Sequence, residues 1–206
     1  SATAGPFDLL ADSTLVFAAA QVKGSLTAGP LPLSGVKIKS ADPAAPAPVL
    51  GGDAVARATF GGAMNAIAFD GEIDATNASY AIPAQMEKKP GIPAKAVVSG
   101  TFRPQGTPDE GIELAKIDVV LHALTATGRG RLVPFKGREA MEIALEGRTA
   151  IAPWNDVMTA MAPFKPAGNA AISLRVSGAP KPGVAPQVEG TAKVTGFSAT
   201  LAQMPK

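Results

Sequence analysis

Apolar and polar residues trade places with period two along most of this chain, and Gly, Pro or Asn/Asp breaks the pattern at short intervals. Successive side chains of an extended strand point to opposite faces, so this periodicity dictates strands rather than amphipathic helices. It predicts strands over residues 15–26, 33–39, 54–60, 66–73, 79–82, 95–102, 112–127, 130–133, 141–149, 170–176, 188–194 and 197–201. Between them stand the turn signals Ala28-Gly29-Pro30, Gly51-Gly52-Asp53, Asp70-Gly71, Thr127-Gly128 and Ser177-Gly178. Longer loops are marked by Pro43, Pro46 and Pro48, and by Pro180, Pro182 and Pro186. Connections this short cannot carry a parallel crossover, so the expected topology is a meander of antiparallel hairpins.

One segment departs from period two. Pro153 stands where a first-turn proline belongs, and Trp154, Val157, Met158 and Met161 follow at i, i+3, i+4 and i+7 before Pro163 and Pro166. That spacing predicts a short helix lying as a lid on a core. The expectation is therefore a mainly β fold: a curled antiparallel sheet, either an open groove or a partly closed barrel or sandwich, with one short helix packed on it. With no internal boundary visible, residues 1–206 read as a single β-rich domain, and the start at Ser1 reads as a cut from something larger.

The strand predicted over 112–127 is apolar on both faces, with Ile117, Val119, Leu121 and Ala123 on one and Val120, Leu124 and Ala126 on the other. A solvated antiparallel sheet alternates, so this strand is expected to be covered on both sides. Residues 170–176 and 188–194 do alternate, and their apolar side must be hidden by curling or closure. Composition sharpens the point: apolar residues are 46% of the chain and charged residues only 17%.

Most chemistries are missing. A formal net charge of +2 offers no concentrated basic stripe, so no nucleic-acid partner is expected. With no cysteine and one histidine, thiolate and imidazole metal sites have no ligand set, and no cofactor is implied. His122 lies in the most apolar stretch, and no Gly-x-Ser-x-Gly elbow presents a nucleophile; it reads as a partly buried or rim histidine on the face of Asp118. Asp70, Glu72 and Asp74 alternate on one strand face and read as a solvated face rather than a calcium loop. The densest basic stretch, Gly128-Arg129-Gly130-Arg131, leaves two readings: contact of Arg129 and Arg131 with a phospholipid headgroup, or a charged hairpin edge that blocks aggregation.

The C-terminal third carries a recognisable order of elements. Residues 154–161 are followed by Pro163-Phe164-Lys165-Pro166-Ala167-Gly168, then by Ile172-Ser173-Leu174-Arg175-Val176-Ser177-Gly178, then by Pro186-Gln187-Val188-Glu189-Gly190. Upstream stand Ala75-Thr76-Asn77-Ala78, Lys89-Pro90-Gly91-Ile92-Pro93-Ala94-Lys95 and Val98-Ser99-Gly100. Over roughly residues 60–200 this resembles the C-terminal region of the AsmA family, a relative of the bridge-like lipid-transport proteins. The resemblance implies a non-enzymatic module of the bacterial periplasm, tethered to the inner membrane by a segment outside this sequence. It further implies a hydrophobic β trough for the acyl chains of phospholipid or another membrane lipid, serving lipid transport or outer-membrane assembly. It brings no catalytic residues.

The residues themselves fit such a trough, because each methylene withdrawn from water is worth ~0.8 kcal/mol. The candidate groove residues are Val119, Leu121, Ile143, Leu145, Ile172, Leu174 and Val176. Two alternatives stand beside this expectation. The same residues could be core against the Trp154 helix, or the chain could be a structural module that binds an envelope protein partner through a sheet edge, without lipid.

Overall fold

In a computed structural model, the residues described are 9–10, 21–36, 47–179 and 186–200. Twelve strands follow one another: β1 (Leu9–Leu10), β2 (Gln21–Pro32), β3 (Val49–Ala63), β4 (Ala66–Asp74), β5 (Ala78–Ile82), β6 (Met86–Lys88), β7 (Ala94–Arg103), β8 (Gly111–Leu121), β9 (Leu124–Val133), β10 (Ala140–Ala150), β11 (Ala167–Gly178) and β12 (Gln187–Ser198). Every pairing is antiparallel, in the order β1-β2-β3-β4-β7-β8-β9-β10-β11-β12, and the sheet does not close into a barrel. This is the expected antiparallel meander, and of the two forms expected it takes the open one. Of the expected strands, 15–20, 37–39 and 201 fall outside the described residues, as do Pro43, Pro46, Pro180 and Pro182; residues 33–36 form a turn.

The β5–β6 hairpin is the one departure from a simple meander. β5 continues β4 along the same edge of β3, and β6 lies against β5 as β7 lies against β4. The two arms are thus one long hairpin, broken at 75–77 and 89–93. Lys88 sits at the break, 7% exposed, and its Nζ donates to the carbonyls of Ala78 (2.6 Å), Ala75 (3.1 Å) and Thr76 (3.2 Å). Ala75 O and Thr76 O also accept the N–H groups of Ala78 (3.0 Å) and Gly91 (2.9 Å), so the ammonium is a further donor that ties the broken pairing together. Burial pushes the Lys88 pKa below its usual value.

Two sequence expectations are corrected. The helix over the Trp154 segment is instead a pair of 3₁₀ turns, Ala152–Asp156 and Ala162–Phe164. Its hydrogen bonds run mostly from i to i−3, as in Trp154 N–H to Ile151 O and Met161 N–H to Met158 O, with only Met158 N–H to Trp154 O spanning four. Pro163 and Pro166 leave too few residues to propagate an α-helix past its costly nucleus. The single strand 112–127 is likewise two strands, β8 and β9, joined by the two-residue loop His122-Ala123 with His122 at φ 54°. The hairpin brings Leu121 opposite Leu124 and Val119 opposite Ala126, so these four share one face, while Val120, opposite Thr125 and Lys95, points to the other. Upstream, a bulge between Leu114 and Ile117 lets Ile112, Leu114, Ile117 and Val119 all point the same way.

Candidate functional site

The strand registers sort the sheet into two faces. Followed from partner to partner, Leu26, Ala58, Gly71, Val98, Ile117, Gly128, Leu145, Leu174 and Gly190 form one row across nine strands. The row two residues along each strand, from Gly24 through Phe60, Phe69, Gly100, Leu114, Gly130, Ile143 and Val176 to Val188, is also wholly apolar or glycine. The row flanking the first on its other side points to the opposite face and reads Thr27, Arg57, Glu72, Val97, Asp118, Thr127, Glu146, Ser173 and Thr191. One face is therefore hydrocarbon except for Thr149 at the Trp154 end, and the other is mainly polar.

Ion pairs stitch the polar face. Glu72 meets Lys95 (2.9 Å) and Arg57 (3.5 Å), Arg103 meets Glu113 (3.0 Å), Lys116 meets Asp118 (2.6 Å), and Arg175 meets Glu142 (2.6 Å). Pairs this exposed are each worth ~0–1 kcal/mol, so they define sidedness more than stability. Glu110, at the strand ends away from the Trp154 segment, accepts from Arg138 (2.6 Å) and from the Gly106 N–H (2.8 Å). The Gly106 N–H, with Arg138 beside it, holds the Glu110 carboxyl below its ordinary value. Among the described residues no three His, Cys, Asp or Glu side chains come together to hold a metal ion.

The apolar face is not a filled core. Among the described residues only Ala54, Ala78, Ile117 and Val157 are buried apolar residues, and no large side chain is fully enclosed. Leu26, Ile73, Leu121, Leu174, Val188 and Val194, all on this face, remain more than a third exposed, with Ile73 at 56%. Nine strands at ~4.8 Å spacing and about 30 Å of strand length make a face on the order of 1,200 Å² in projection. The largest apolar patch on a typical monomer is ~300–600 Å².

Glycines keep this face smooth. A Cβ on Gly128 would collide with Ala144 O and stand 2.5 Å from the Leu145 side chain; one on Gly190 would stand 2.6 Å from Leu174 Cδ2, and one on Gly130 2.9 Å from Ile143 Cγ1. Large side chains lean across the glycines of neighbouring strands and roof the backbone with hydrocarbon. This is why Gly71, Gly128 and Gly130 lie within strands, although dipeptides such as Asp70-Gly71 and Thr127-Gly128 look like turns in the sequence.

All seven groove candidates lie on this face. Leu145 stands opposite Leu174, Ile143 opposite Val176, and Ile172 opposite Gly147; Val119 and Leu121 join them through β9. Arg129 and Arg131 are not brought to them. Both alternate with Gly128 and Gly130 on the central strand β9 and point to the polar side, away from any hairpin edge. Leu26, Phe60, Phe69, Ile73, Val98, Phe102 and Leu114, which are not among the seven candidates, extend the same face across β2 to β8, and their alternation in the sequence carries the signal.

One end of the strands is capped. The Glu87 N–H donates to Val157 O (2.7 Å) and the Ala160 N–H to Gln85 O (3.4 Å), so the β10–β11 connection zips onto the outer edge of β6. Beneath it lies the β8–β9 turn: the His122 N–H reaches Pro93 O (2.7 Å), and His122 Nε2 donates to Pro153 O (2.7 Å). The Trp154 indole meets the His122 ring edge-on, centroids 5.4 Å apart, and its Nε1 donates to Thr149 Oγ1 (2.7 Å). His122 is thus a structural clasp, and Asp118 pairs with Lys116 rather than with it. Under the cap is an apolar cavity of about 230 Å³.

Compared with protein-family models, curated proteins and solved structures, the chain matches none of them.

Proposed function

We propose that the apolar face binds and shields the acyl chains of membrane phospholipid, without catalysis, as a module of lipid transport or outer-membrane assembly in the bacterial periplasm. The observation that carries the reading is a contiguous hydrocarbon face, too wide and too exposed to be the inside of a sandwich. Its smoothness favours a ligand that binds by area alone: a roof of Leu, Ile, Val and Phe over glycine offers no hydrogen bond to fix orientation. The resemblance to AsmA-like proteins points to the same chemistry and supplies the periplasmic setting. Arg129 and Arg131, on the opposite side, are given no part in holding the chains.

Organic-solvent extraction of the protein purified from bacterial cells, with mass spectrometry of the extract and of the intact complex, is the direct test. Co-purifying phospholipid is expected, and Leu145→Asp with Leu174→Asp should abolish it while the far-UV circular dichroism of strands persists. Protein recovered folded but free of lipid, or lipid retained by the double variant, would overturn the reading.

A second reading rests on β12. All twelve of its residues are exposed and it pairs only with β11, leaving a long free edge among the described residues. We propose that an envelope protein partner adds a strand there, continuing both faces. Edge lysines oppose such pairing; Val188→Lys with Val194→Lys should therefore release the partner, and unchanged retention would refute the edge.

A further inference from the structure

The cap does more than close the sheet. Its cavity of about 230 Å³ is walled by Tyr80, Met86, Ile92, Leu121, Trp154 and Val157. By comparison, an apolar cavity of ~150 Å³ stays dry and takes up benzene. Lys88 and His122 also border it, yet no polar atom of theirs, nor the Tyr80 hydroxyl, is exposed to the cavity. Lys88 Nζ is spent on three backbone carbonyls, and His122 Nε2 on Pro153 O. A headgroup entering here would shed water and find no partner, whereas a hydrocarbon loses nothing by entering. The cavity also joins the face described above: Leu121 lines it and, through its register with Ala94 and Leu124, belongs to the last apolar row of the sheet.

We propose that the cavity is a subsite for the methyl end of a phospholipid acyl chain lying on the apolar face, so that the bound lipid has a fixed polarity, tail terminus under the cap and ester end away from it. The inference rests on the lipid-binding reading of that face. Its size suits a chain terminus of several carbons and excludes a whole lipid. The rigid wall suits it too: the indole is held by Thr149 and His122, and Val157 is 2% exposed.

Trp154 is the only tryptophan in the chain, so its fluorescence reports this cavity alone. The purified full chain, stripped of lipid, is reloaded with phosphatidylglycerol brominated either near the ester or near the methyl end of the acyl chain. Bound lipid is counted separately by mass spectrometry. Methyl-end bromines should quench Trp154 severalfold more than ester-end bromines at equal occupancy. Ile92→Phe or Met86→Phe, each filling the cavity, should erase that difference while lipid remains bound; two variants guard against one that fails to fold. Equal quenching from both positions with lipid bound would overturn the subsite and leave the lipid-binding face standing. Failure of any lipid to bind would overturn both.

Discussion

Leu174→Ala separates an open face from a packed core by magnitude. Leu174 is 37% exposed, so a little under two thirds of its surface is already out of water. Full burial of a leucine is worth ~1.5–3 kcal/mol, which scales to about 1–2 kcal/mol for truncation here. A leucine inside a close-packed core costs ~2–5 kcal/mol on the same change, because a cavity term is added to the transfer term. On an open face no cavity forms, since the space above Leu174 belongs to solvent or ligand. Urea unfolding of the delipidated protein, kept dilute enough to sediment as a monomer and followed by circular dichroism, measures the difference. A loss of about 1–2 kcal/mol with an unchanged m-value is expected. The lipid-loaded protein should lose more, because the chain forfeits contacts worth ~0.8 kcal/mol per buried methylene. A loss of about 4 kcal/mol in the delipidated protein would place Leu174 in a filled core and refute the open face.

Three further outcomes follow from named contacts. Gly128→Val should destabilise the protein by about 1–3 kcal/mol in the same assay, because the new side chain meets Ala144 O and Leu145; a neutral result would mean that Leu145 does not lean across β9. The Gly106 amide shift should titrate with Glu110 at a midpoint below 4.5, its hydrogen bond being present above that range and lost as pH falls through the depressed value; Glu110→Gln should abolish the titration, and a midpoint at or above 4.5 would contradict the bond. Lys88→Met should cost about 1–3 kcal/mol by removing three ammonium-to-carbonyl hydrogen bonds at a buried site. Because burial depresses the Lys88 pKa, the unfolded state holds more protons between the folded value and 10.5, so wild-type stability should rise with pH there relative to the variant; a flat difference would remove the desolvation argument.

The sheet was legible because its cause is local. Alternation along β10 and β11 fixes which side chains share a face, and the short Gly- and Pro-marked links fix the antiparallel order. What was misread depends on information not local to the chain. Nothing at His122-Ala123 marks a turn, since neither Gly, Asn nor Pro is present; the reversal is set by the His122 N–H bonding Pro93 O, almost thirty residues back. Conversely, Gly51-Gly52, Asp70-Gly71 and Thr127-Gly128 look like turns because glycine is cheap there, whereas their glycines stand within strands. At Gly71 and Gly128 the place that a Cβ would take borders the side chains of Val98 and Leu145. The Trp154 stripe has helical period, but only nine residues separate Pro153 from Pro163, too few for a stable α-helix. A lid at the Trp154 segment was expected, but its seat was not legible, because Lys88 and His122 acquire their roles only when β6 meets the β10–β11 connection.

A face of this size cannot stand idle. On the order of 1,200 Å² at ~25 cal/mol per Å² is about 30 kcal/mol if wholly exposed, and a third of that is about 10 kcal/mol. A domain's net stability is itself ~5–15 kcal/mol, so the free energy left unrealised on this surface rivals the free energy that keeps the chain folded. On the proposed function acyl chains cover it, and another copy of the same sheet is the cover expected without them. The polar face, with its evenly interspersed Arg, Lys, Asp and Glu, gives stacked copies only one greasy side each, which limits association to pairs joined through the apolar faces. Stripping lipid from the purified protein should therefore lower its melting temperature and convert monomer to a face-to-face dimer, and returning phospholipid should reverse both. Sedimentation velocity with and without lipid measures the change. A delipidated protein that stays monomeric with an unaltered melting temperature would mean that the face is already covered by the chain itself.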